Sequence, residues 1–252
     1  MAKQKRKAKK SKKKTSGGKI AIWLFIIFVF LGIVWYFFPS STTKKINKNT
    51  FVNQIPKGFE SFGIDISHHQ GKIDWKVLLD DEKFDTIIQF VYCKATEGNS
   101  HLDTKWEENR KILNNKGIPN GAYHFFTPKD TPLPQAEHFL NHWKKREVDL
   151  PPVLDVETEG ISDEDLRNKM EVWLKEVEKK SGMRPIIYTS YHFFDTKFKD
   201  YFKEYKFWIA AYSRKPECID DNRILHWQYS ESGSLPGIDE LVDFNVSKIA
   251  FK

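Results

Sequence analysis

The pattern of apolar and polar positions divides the chain into an uncharged run, a polar segment and a long region in which two periodicities alternate. Residues 20–38 form the uncharged run, and residues 39–58 are rich in Ser, Thr, Asn and Lys. From residue 59 onward, short apolar runs alternate with stretches of helical periodicity, which is typical of strands and helices that follow one another. This alternation predicts one α/β domain over residues 59–252 with a mainly parallel sheet.

Eight strands and five helices are predicted in this domain. The strands are expected at Phe62–Ile66, Ile87–Lys94, Gly121–Phe125, Val153–Val156, Pro185–Thr189, Phe207–Ala211, Leu225–Gln228 and Leu241–Phe244. The helices are expected at Trp75–Asp80, Lys105–Lys116, Pro134–Arg146, Asp163–Lys180 and around Tyr191–Tyr201. A hydroxyl side chain at Ser162, followed by three acids, is a typical helix start. A full eight-fold barrel usually needs about 250 residues, and the last two strands leave little room for a helix, so we predict an irregular, compact (β/α) barrel.

The uncharged run has the properties of a transmembrane helix. As a helix its nineteen residues would span roughly 28 Å, about the hydrocarbon thickness of a bilayer, and Trp35 and Tyr36 lie near its far end, where such rings favour the interface. Residues 1–19 hold ten Lys and Arg and no acid, which predicts a cytoplasmic tail. We therefore expect a single-pass protein of the cell membrane, with residues 39–58 as a linker and residues 59–252 outside the cytoplasm. A cleaved signal peptide is the alternative, but the bulky residues before Pro39 do not suit cleavage.

Charge and cysteine content narrow the function of the domain. The chain has a formal net charge of +7, yet all fourteen charged residues before Glu60 are basic. The remaining 27 basic and 34 acidic residues give the domain a net charge of −7, which argues against a nucleic-acid partner. Cys93 and Cys218 lack the spacing of a zinc or redox motif, and their spacing leaves open whether they form a disulfide.

The segment from Pro151 to Thr158 carries the most informative chemistry. A buried-strand pattern ends in Asp155 and Glu157, which lie two positions apart and so share one face of a strand. Carboxylates at the carboxyl end of a barrel strand point into the usual active-site mouth. A close pair tends to retain one proton, which provides a general acid near neutral pH. Taken alone, these residues could equally be two exposed acids at a strand end.

Other predicted strand ends also carry polar and aromatic groups. Asp65 and Asp243 each stand among apolar neighbours at such an end. Further polar and aromatic residues at strand ends are Lys94, Glu97, Tyr123, Tyr188, Trp208 and Gln228. Aromatic rings beside carboxylates suit a sugar, because its C–H faces pack on rings while its hydroxyls form hydrogen bonds.

No motif indicates a metal or another cofactor. His138 and His142 have i, i+4 spacing, but Phe139 stands where the Glu of an HExxH motif would be. The glycine patterns of dinucleotide and phosphate sites and the GxSxG elbow are missing from the sequence. We expect no cofactor.

Between about Phe62 and Val246 the sequence contains, in this order, the segments GIDISHHQG, FVYCKATEG, GAYHFF, PPVLDVE, PIIYTS, FWIAAY, LHWQY and VDFN. In the content and order of these segments it resembles the glycoside hydrolase family 25 muramidases. One departure is His101, which stands before Asp103 where the family usually has an aromatic or large apolar residue.

The resemblance implies a role for each candidate residue. Glu157 would be the general acid, and Asp155 would orient the 2-acetamido group of the substrate or stabilise the charge it develops. Asp65 and Asp243 would complete an acidic floor, and the subsites would be lined by Lys94, Glu97, Tyr123, Tyr188, Trp208 and Gln228. Two carboxylates on one strand need not straddle the scissile bond, which favours a substrate-assisted, retaining mechanism. The alternative mechanism, in which Asp65 is a direct nucleophile, stays open.

The predicted function is hydrolysis of the β-1,4 bond between N-acetylmuramic acid and N-acetylglucosamine in peptidoglycan, by a membrane-anchored monomer. One alternative is another acetamido-sugar hydrolase, an endo-glucosaminidase or a chitinase-like enzyme. The extended DxxDxDxE run of the latter is missing, since Pro152 stands three residues before Asp155. A non-catalytic peptidoglycan-binding protein is the other alternative, and the presence of all four carboxyl residues argues against it.

Overall fold

Nine strands and five α-helices form the parts of the chain that the computed structural model describes, which are residues 55–80, 88–144, 150–213 and 220–251. The strands are β1 (Ser61–Ile66), β2 (Phe90–Glu97), β3 (His101–Leu102), β4 (Asn120–Phe125), β5 (Val153–Asp155), β6 (Ile186–Ser190), β7 (Lys206–Ala210), β8 (Ile224–Gly233) and β9 (Val242–Ser247). The helices are α1 (Trp75–Asp80), α2 (Trp106–Lys116), α3 (Pro132–Trp143), α4 (Asp163–Ser181) and the short α5 (Tyr191–Phe193). A 3-10 turn at His68–Gln70 follows β1, and a π-helical turn at Phe194–Phe198 continues α5.

Eight of the described strands close into a barrel in the order β1, β2, β4, β5, β6, β7, β8 and β9, with β9 beside β1. Neighbours from β1 to β8 are parallel, whereas β9 is antiparallel to both β8 and β1. The short β3 lies outside the ring as an antiparallel partner of β2. The predicted compact (β/α) barrel of about eight strands is confirmed.

The direction of β9 follows from the length of its connection. Only residues 234–241 join β8 to β9. A parallel neighbour needs a crossover of a dozen residues or more, whereas an antiparallel neighbour needs only a hairpin. The connection between the last two strands is therefore too short for a helix, and the closing strand β9 is antiparallel.

Aromatic rings fill the barrel interior beneath the polar mouth. Phe90, Tyr92 and Trp208 are buried there, and the ring centroids of Tyr92 and Trp208 lie 5.0 Å apart. Gly63 on β1 makes room for one of these rings, because a Cβ at this position would lie 2.5 Å from the Phe90 side chain. Gly121 on β4 faces the Tyr92 ring in the same way. These rings support the polar residues above them.

A second apolar layer lies between the strands and the helices around them. Phe139 and Trp143 of α3 and Trp173 of α4 are buried in it. His124, on the outward face of β4, stacks on Trp173 with ring centroids 5.6 Å apart. Burial lowers the pKa of His124 to about 3, so this imidazole is neutral and supports the wall of the barrel from behind.

Most predicted element boundaries agree with the structure to within a few residues. The helix start at Ser162 is confirmed, since its hydroxyl accepts a hydrogen bond from the Asp165 N–H. Strand β2 begins at Phe90 and extends to Glu97, because it pairs with β4 as far as Phe125. Helix α3 ends at Trp143, three residues earlier than predicted, because Lys144 has a positive φ of 39°.

Several sequence predictions fall on residues that the structure does not describe. They are the cytoplasmic tail, the transmembrane helix at 20–38, most of the 39–58 linker, and Cys218. Cys93 is buried and forms no disulfide with any residue of the described ranges. Among the helices of the described ranges, none combines the length and apolar character needed to cross a bilayer.

Candidate active site

A cleft of about 250 Å³ opens at the mouth of the barrel, where the parallel strands end. Its lining residues are Asp65, Tyr123, Asp155, Glu157, Tyr188, Trp208, Tyr212, Gln228, Glu231 and Asp243. The sequence predicts all of them except Tyr212 and Glu231. Five of the lining residues carry carboxyl groups and none is basic, so the described wall of the cleft is strongly acidic.

Asp155 and Glu157 share the end of β5 but differ in exposure. Asp155 is the last residue of the strand and only 5% exposed, whereas Glu157 is exposed two residues further on. Burial, and then the charge of Glu157, raise the pKa of Asp155 well above its ordinary value. Partial desolvation by the cleft raises the pKa of Glu157, and a hydrogen bond with Tyr188 opposes this rise. Both carboxyl groups therefore favour the protonated form more than free carboxyl groups do, and Glu157 is the one of the two that is exposed to a molecule in the cleft.

Asp155 also has unused hydrogen-bonding capacity. Its Oδ1 atom is buried and has no hydrogen-bond partner among the described residues. A buried polar atom without a partner is costly, so an oxygen that borders a cleft in this way is suited to a polar group of a bound ligand.

Asp65 and Asp243 face each other across the β1–β9 pair. Burial raises the pKa of Asp65, although hydrogen bonds with Asn245, Gln228 and Asp243 lower it in part. Burial and the charge of Asp65 raise the pKa of Asp243 to about 8. These directions fit one proton shared by the two groups, carried by Asp243 and donated to the Asp65 carboxylate.

Gln228 connects the acidic floor to the tyrosines of the wall. Its Nε2 donates to Asp65 Oδ2 at 2.9 Å. Its Oε1 accepts from the Tyr188 hydroxyl at 2.7 Å and from the Tyr212 hydroxyl at 2.8 Å. The side chain is 2% exposed, so these three bonds fix its position and orient both phenols.

Aromatic side chains form the rest of the wall. Burial raises the pKa of Tyr123 and Tyr188 well above the ordinary value, so both keep a hydroxyl proton to donate. The Tyr188 ring meets the Trp208 ring edge to face, with centroids 4.8 Å apart. Tyr212 is 45% exposed at the edge of the cleft. Rings and phenols in this arrangement can both stack on and hydrogen-bond to a polyhydroxylated ligand.

Lys94 and Glu97 are not among the side chains that line the described cleft. Both belong to β2, and Lys94 Nζ lies 2.6 Å from Glu97 Oε2 and 4.8 Å from the centre of the Phe125 ring. Lys94 is 7% exposed, and its positive charge lowers the pKa of both Asp155 and Glu157. In the described structure this lysine therefore acts as a buried countercharge to the acidic cleft.

Three residues of the site were missed by sequence reasoning. Tyr212 ends the FWIAAY segment, and Glu231 lies in β8, which continues five residues past its predicted end. Asn245 is fully buried and donates to Asp65 Oδ2 at 2.8 Å. The alternation of a strand could have identified Asn245, because it lies two positions after Asp243 and so shares its face.

The groups assembled here support proton transfer on a polar ligand. Carboxyl, phenol and amide side chains converge on the cleft, and general acid–base catalysis requires such groups with shifted pKa values. Within the described ranges, no set of three or more His, Cys, Asp or Glu side chains is arranged to hold a metal ion. His138 and His142 contact each other on α3, with ring centroids 4.9 Å apart.

Comparison with known families identifies the barrel. The family described as "Glycosyl hydrolases family 25" matches residues 64–238, more than half of the chain. The chain belongs to glycosyl hydrolases family 25. Its enzyme class, a glycoside hydrolase of the lysozyme type, follows from this membership. Asp243 and Asn245 lie beyond the matched segment.

Relatives in sequence extend over most of the domain. The "Uncharacterized protein YegX" of Escherichia coli (strain K12) is 37% identical over 198 residues, which cover 78% of this chain and 73% of that protein. The "Autolytic lysozyme" of Clostridium acetobutylicum is 30% identical over 184 residues, which cover 73% of this chain and 54% of that protein.

Two solved structures, one of them described as a family 25 enzyme, have the same fold. A family 25 glycosyl hydrolase from Bacillus anthracis aligns with a TM-score of 0.68 at 30% identity, and covers 76% of this chain and 90% of its own. The bacterial lysozyme from Streptomyces coelicolor aligns with a TM-score of 0.63 at 28% identity, and covers 74% and 91% of the two chains.

Proposed function

We propose that this enzyme hydrolyses the β-1,4 bond between N-acetylmuramic acid and N-acetylglucosamine in peptidoglycan. The proposal rests on the pair of carboxyl groups at the end of β5. Glu157 is exposed and has a raised pKa, and beside it the buried Asp155 has an oxygen without a hydrogen-bond partner among the described residues. The name of the Clostridium acetobutylicum relative, "Autolytic lysozyme", and that of the Streptomyces globisporus relative, "Lysozyme M1", support this substrate.

Glu157 is the general acid in this proposal. Its raised pKa favours the protonated form relative to an ordinary carboxyl group, and its exposure lets it reach the glycosidic oxygen. Transfer of the proton to this oxygen makes the departing sugar a neutral alcohol. Positioned acids of this kind typically contribute 10²–10⁴-fold to the rate.

Asp155 assists the acetamido group of the muramic acid residue. Asp155 and Glu157 extend from one strand end, so they approach the substrate from one side. The acetamido carbonyl oxygen then attacks the anomeric carbon as the leaving oxygen takes the Glu157 proton. Asp155 Oδ1 accepts the acetamido N–H and stabilises the charge that develops on this group. Water, deprotonated by Glu157, opens the cyclic intermediate, and the configuration at the anomeric carbon is retained.

Asp65 is the alternative nucleophile. As the anionic partner of the Asp65–Asp243 pair, it could attack the anomeric carbon directly and form a covalent intermediate. Its Oδ2 atom already accepts two amide hydrogen bonds, which lowers the nucleophilicity of that oxygen. In the substrate-assisted route the anionic Asp65 instead stabilises positive charge in the transition state.

The aromatic wall binds the glycan. Tyr123, Tyr188, Trp208 and Gln228 contribute rings and hydrogen-bonding groups. Lys94, paired with Glu97, contributes a positive charge that acts on Asp155 and Glu157. We expect the enzyme to act as a monomer on peptidoglycan strands, with no cofactor.

Analysis of the reaction products tests the proposal. Peptidoglycan is digested with the full-length chain, and the new reducing ends are reduced with borohydride and identified by mass spectrometry. Reduced muramic acid, lost in the Glu157→Gln variant, is the expected result. Reduced glucosamine would instead identify an endo-glucosaminidase, and binding without cleavage would identify a non-catalytic peptidoglycan-binding protein.

We also propose that residues 20–38 anchor the enzyme in the cell membrane, with residues 1–19 in the cytoplasm and the barrel outside. The nineteen uncharged residues and the ten basic residues before them support this orientation. The twenty-residue linker reaches about 70 Å when fully extended. The enzyme would therefore act on the wall next to its own membrane.

A further inference from the structure

Asn245 on β9 is fully buried and lies outside the lining of the cleft, yet it contacts the acidic floor directly. Its Nδ2 donates to Asp65 Oδ2 at 2.8 Å, and more weakly to the Asp243 carbonyl oxygen at 3.4 Å. Its Oδ1 accepts from the indole Nε1 of Trp208 at 2.8 Å. Every polar atom of this side chain therefore has a partner inside the barrel.

The indole fixes the direction of this amide. An indole N–H can only donate a hydrogen bond, so the amide oxygen of Asn245 must face Trp208 and the amide N–H groups must face Asp65. A reversed amide would place two donors against each other and its carbonyl oxygen against a carboxylate. Trp208 thus orients the Asn245 amide so that one of its N–H groups faces the Asp65 carboxylate.

A second amide supports the same carboxylate oxygen. Gln228 Nε2 reaches Asp65 Oδ2 at 2.9 Å, and Gln228 and Asn245 are register partners on β8 and β9. Two N–H donors on one oxygen favour the ionised form of a carboxyl group. They also fix the carboxylate plane, and they leave Oδ1 outside these amide contacts.

We infer that Asn245 is a positioning residue for Asp65. The Trp208 indole N–H orients the Asn245 amide, and this amide keeps the Asp65 carboxylate anionic and oriented in the cleft. This inference rests on the proposed function for its effect on the rate. Its effect on the ionisation of Asp65 is independent of any substrate. The hydrogen bonds with Asn245 and Gln228 lower the pKa of Asp65 against the effect of burial.

The test measures the titration of Asp65 in the full-length chain without substrate. Aspartate is labelled with ¹³C at the carboxyl group, and the Asp65 signal is assigned by its loss in Asp65→Asn. Asn245→Leu, which is similar in volume and lacks the amide, should move the titration midpoint of Asp65 upward by about one pH unit or more. Trp208→Phe, which removes the indole donor together with part of the ring, should move it in the same direction by a smaller amount.

A matched control separates this role from a structural one. Asn120 is also a buried asparagine with a bonded amide, but its partners are Asn114 and Ile118, away from the cleft. Asn120→Leu should lower the melting temperature without moving the Asp65 titration. If Asn245→Leu does not fold, Trp208→Phe carries the test alone. A folded variant of either residue with an unchanged Asp65 titration overturns the inference.

Kinetics provide a second measurement. Asn245→Leu should lower kcat on peptidoglycan about tenfold to hundredfold, the effect of losing a hydrogen bond to a charged group, with little change in KM. In an Asp65→Asn background the same substitution should have no further effect, since it acts through Asp65. Additive losses would contradict the inference. If no variant and no wild-type chain cleaves peptidoglycan, the proposed function fails, while the substrate-free titration still decides the role of Asn245.

Discussion

Glu157 and Glu159 lie two residues apart in one loop, yet their surroundings give them different chemistry. Glu157 borders the cleft and has a raised pKa. Glu159 lies outside it, with its side chain 67% exposed and 3.3 Å from Lys197 Nζ. Glu159 follows Glu157 at the same two-residue spacing at which Glu157 follows Asp155, but Glu159 is not part of the site.

This difference provides a matched pair of variants. Glu157→Gln should lower kcat by about 10²–10⁴-fold, because the amide cannot donate the proton that the leaving oxygen needs. Glu159→Gln makes the same chemical change and should leave kcat close to that of the wild type. Initial rates of peptidoglycan cleavage measure both. Equal losses in the two variants would show that the loop, and not the acid, is what the reaction requires.

The raised pKa of Asp243 leads to a second prediction at the residue scale, which concerns the stability of the fold and not the reaction rate. Its pKa is about 8 in the folded protein and near the ordinary 3.8 when unfolded, so the folded state binds more protons between these values. Stability must then fall as pH rises through this window. The buried His124 and His226, whose pKa values are lowered to about 3, act in the opposite sense, but only below about pH 6.5.

The melting temperature should therefore decrease from pH 6.5 to 8.5, and Asp243→Asn should reduce this decrease, because an amide does not ionise. The pKa of Asp155 is also raised well above its ordinary value, so part of the decrease should remain. Asp239→Asn, at an exposed position in the β8–β9 connection, should behave as the wild type. A pH dependence in Asp243→Asn identical to that of the wild type would mean that Asp243 is not protonated in the fold.

At the scale of elements, closure of the barrel requires that side chains of neighbouring strands fit together in its interior. Gly63 on β1 pairs with Phe90 on β2 and leaves the space that this ring occupies. Its backbone does not have a positive φ, so the space next to the ring, and not the backbone conformation, requires a glycine here.

Gly63→Ala should destabilise the protein by about 1–3 kcal/mol through overpacking. Phe90→Leu in the same chain should recover part of the loss, because it removes the atoms that the new methyl group meets. Urea denaturation of the two single variants and the double variant gives the coupling energy. Gly71→Ala is the contrasting control, since Gly71 has a φ of 61° and open space around it. Its cost should not respond to Phe90→Leu, and additivity at Gly63 would contradict the packing argument.

At the scale of the whole molecule, the proposed membrane anchor predicts where the enzyme is found in the cell. We expect the full-length chain to remain in the membrane fraction after a high-salt wash and to be released by detergent, because a spanning helix is held by apolar burial and not by charge. Protease added to intact protoplasts should remove the barrel and leave the basic tail protected. A chain without residues 20–38 is the control and should not sediment with membranes. A mature mass that lacks the first 38 residues would instead identify a cleaved signal peptide.

How much of the fold was predictable differs between elements. Helix α4 was predicted to within one residue, because a hydroxyl cap and an acidic first turn are local signals. The two-residue β3 was missed, since it exists only through its pairing with β2. The end of β8 was placed five residues too early, because its extension is stabilised by the antiparallel pairing with β9.

The sequence by itself determined the barrel class, the family and most candidate residues of the site. Strand alternation, the i, i+2 carboxylates and the ordered motifs are all carried by near neighbours in the chain, so no fold is needed to recognise them. The prediction that Lys94 and Glu97 contact the substrate stays a prediction, since neither is among the residues that line the described cleft.

Only the tertiary structure decided how the site residues act on one another. Asp65 is 180 residues from Asn245 and 163 from Gln228, and no local pattern specifies that two amides converge on one carboxylate oxygen. Burial and neighbouring charge, which set the pKa values of Asp155, Glu157 and Asp243, likewise arise only when β1, β5 and β9 meet at one mouth. Ionisation depends on distance and desolvation in space, and these quantities do not exist until the barrel closes.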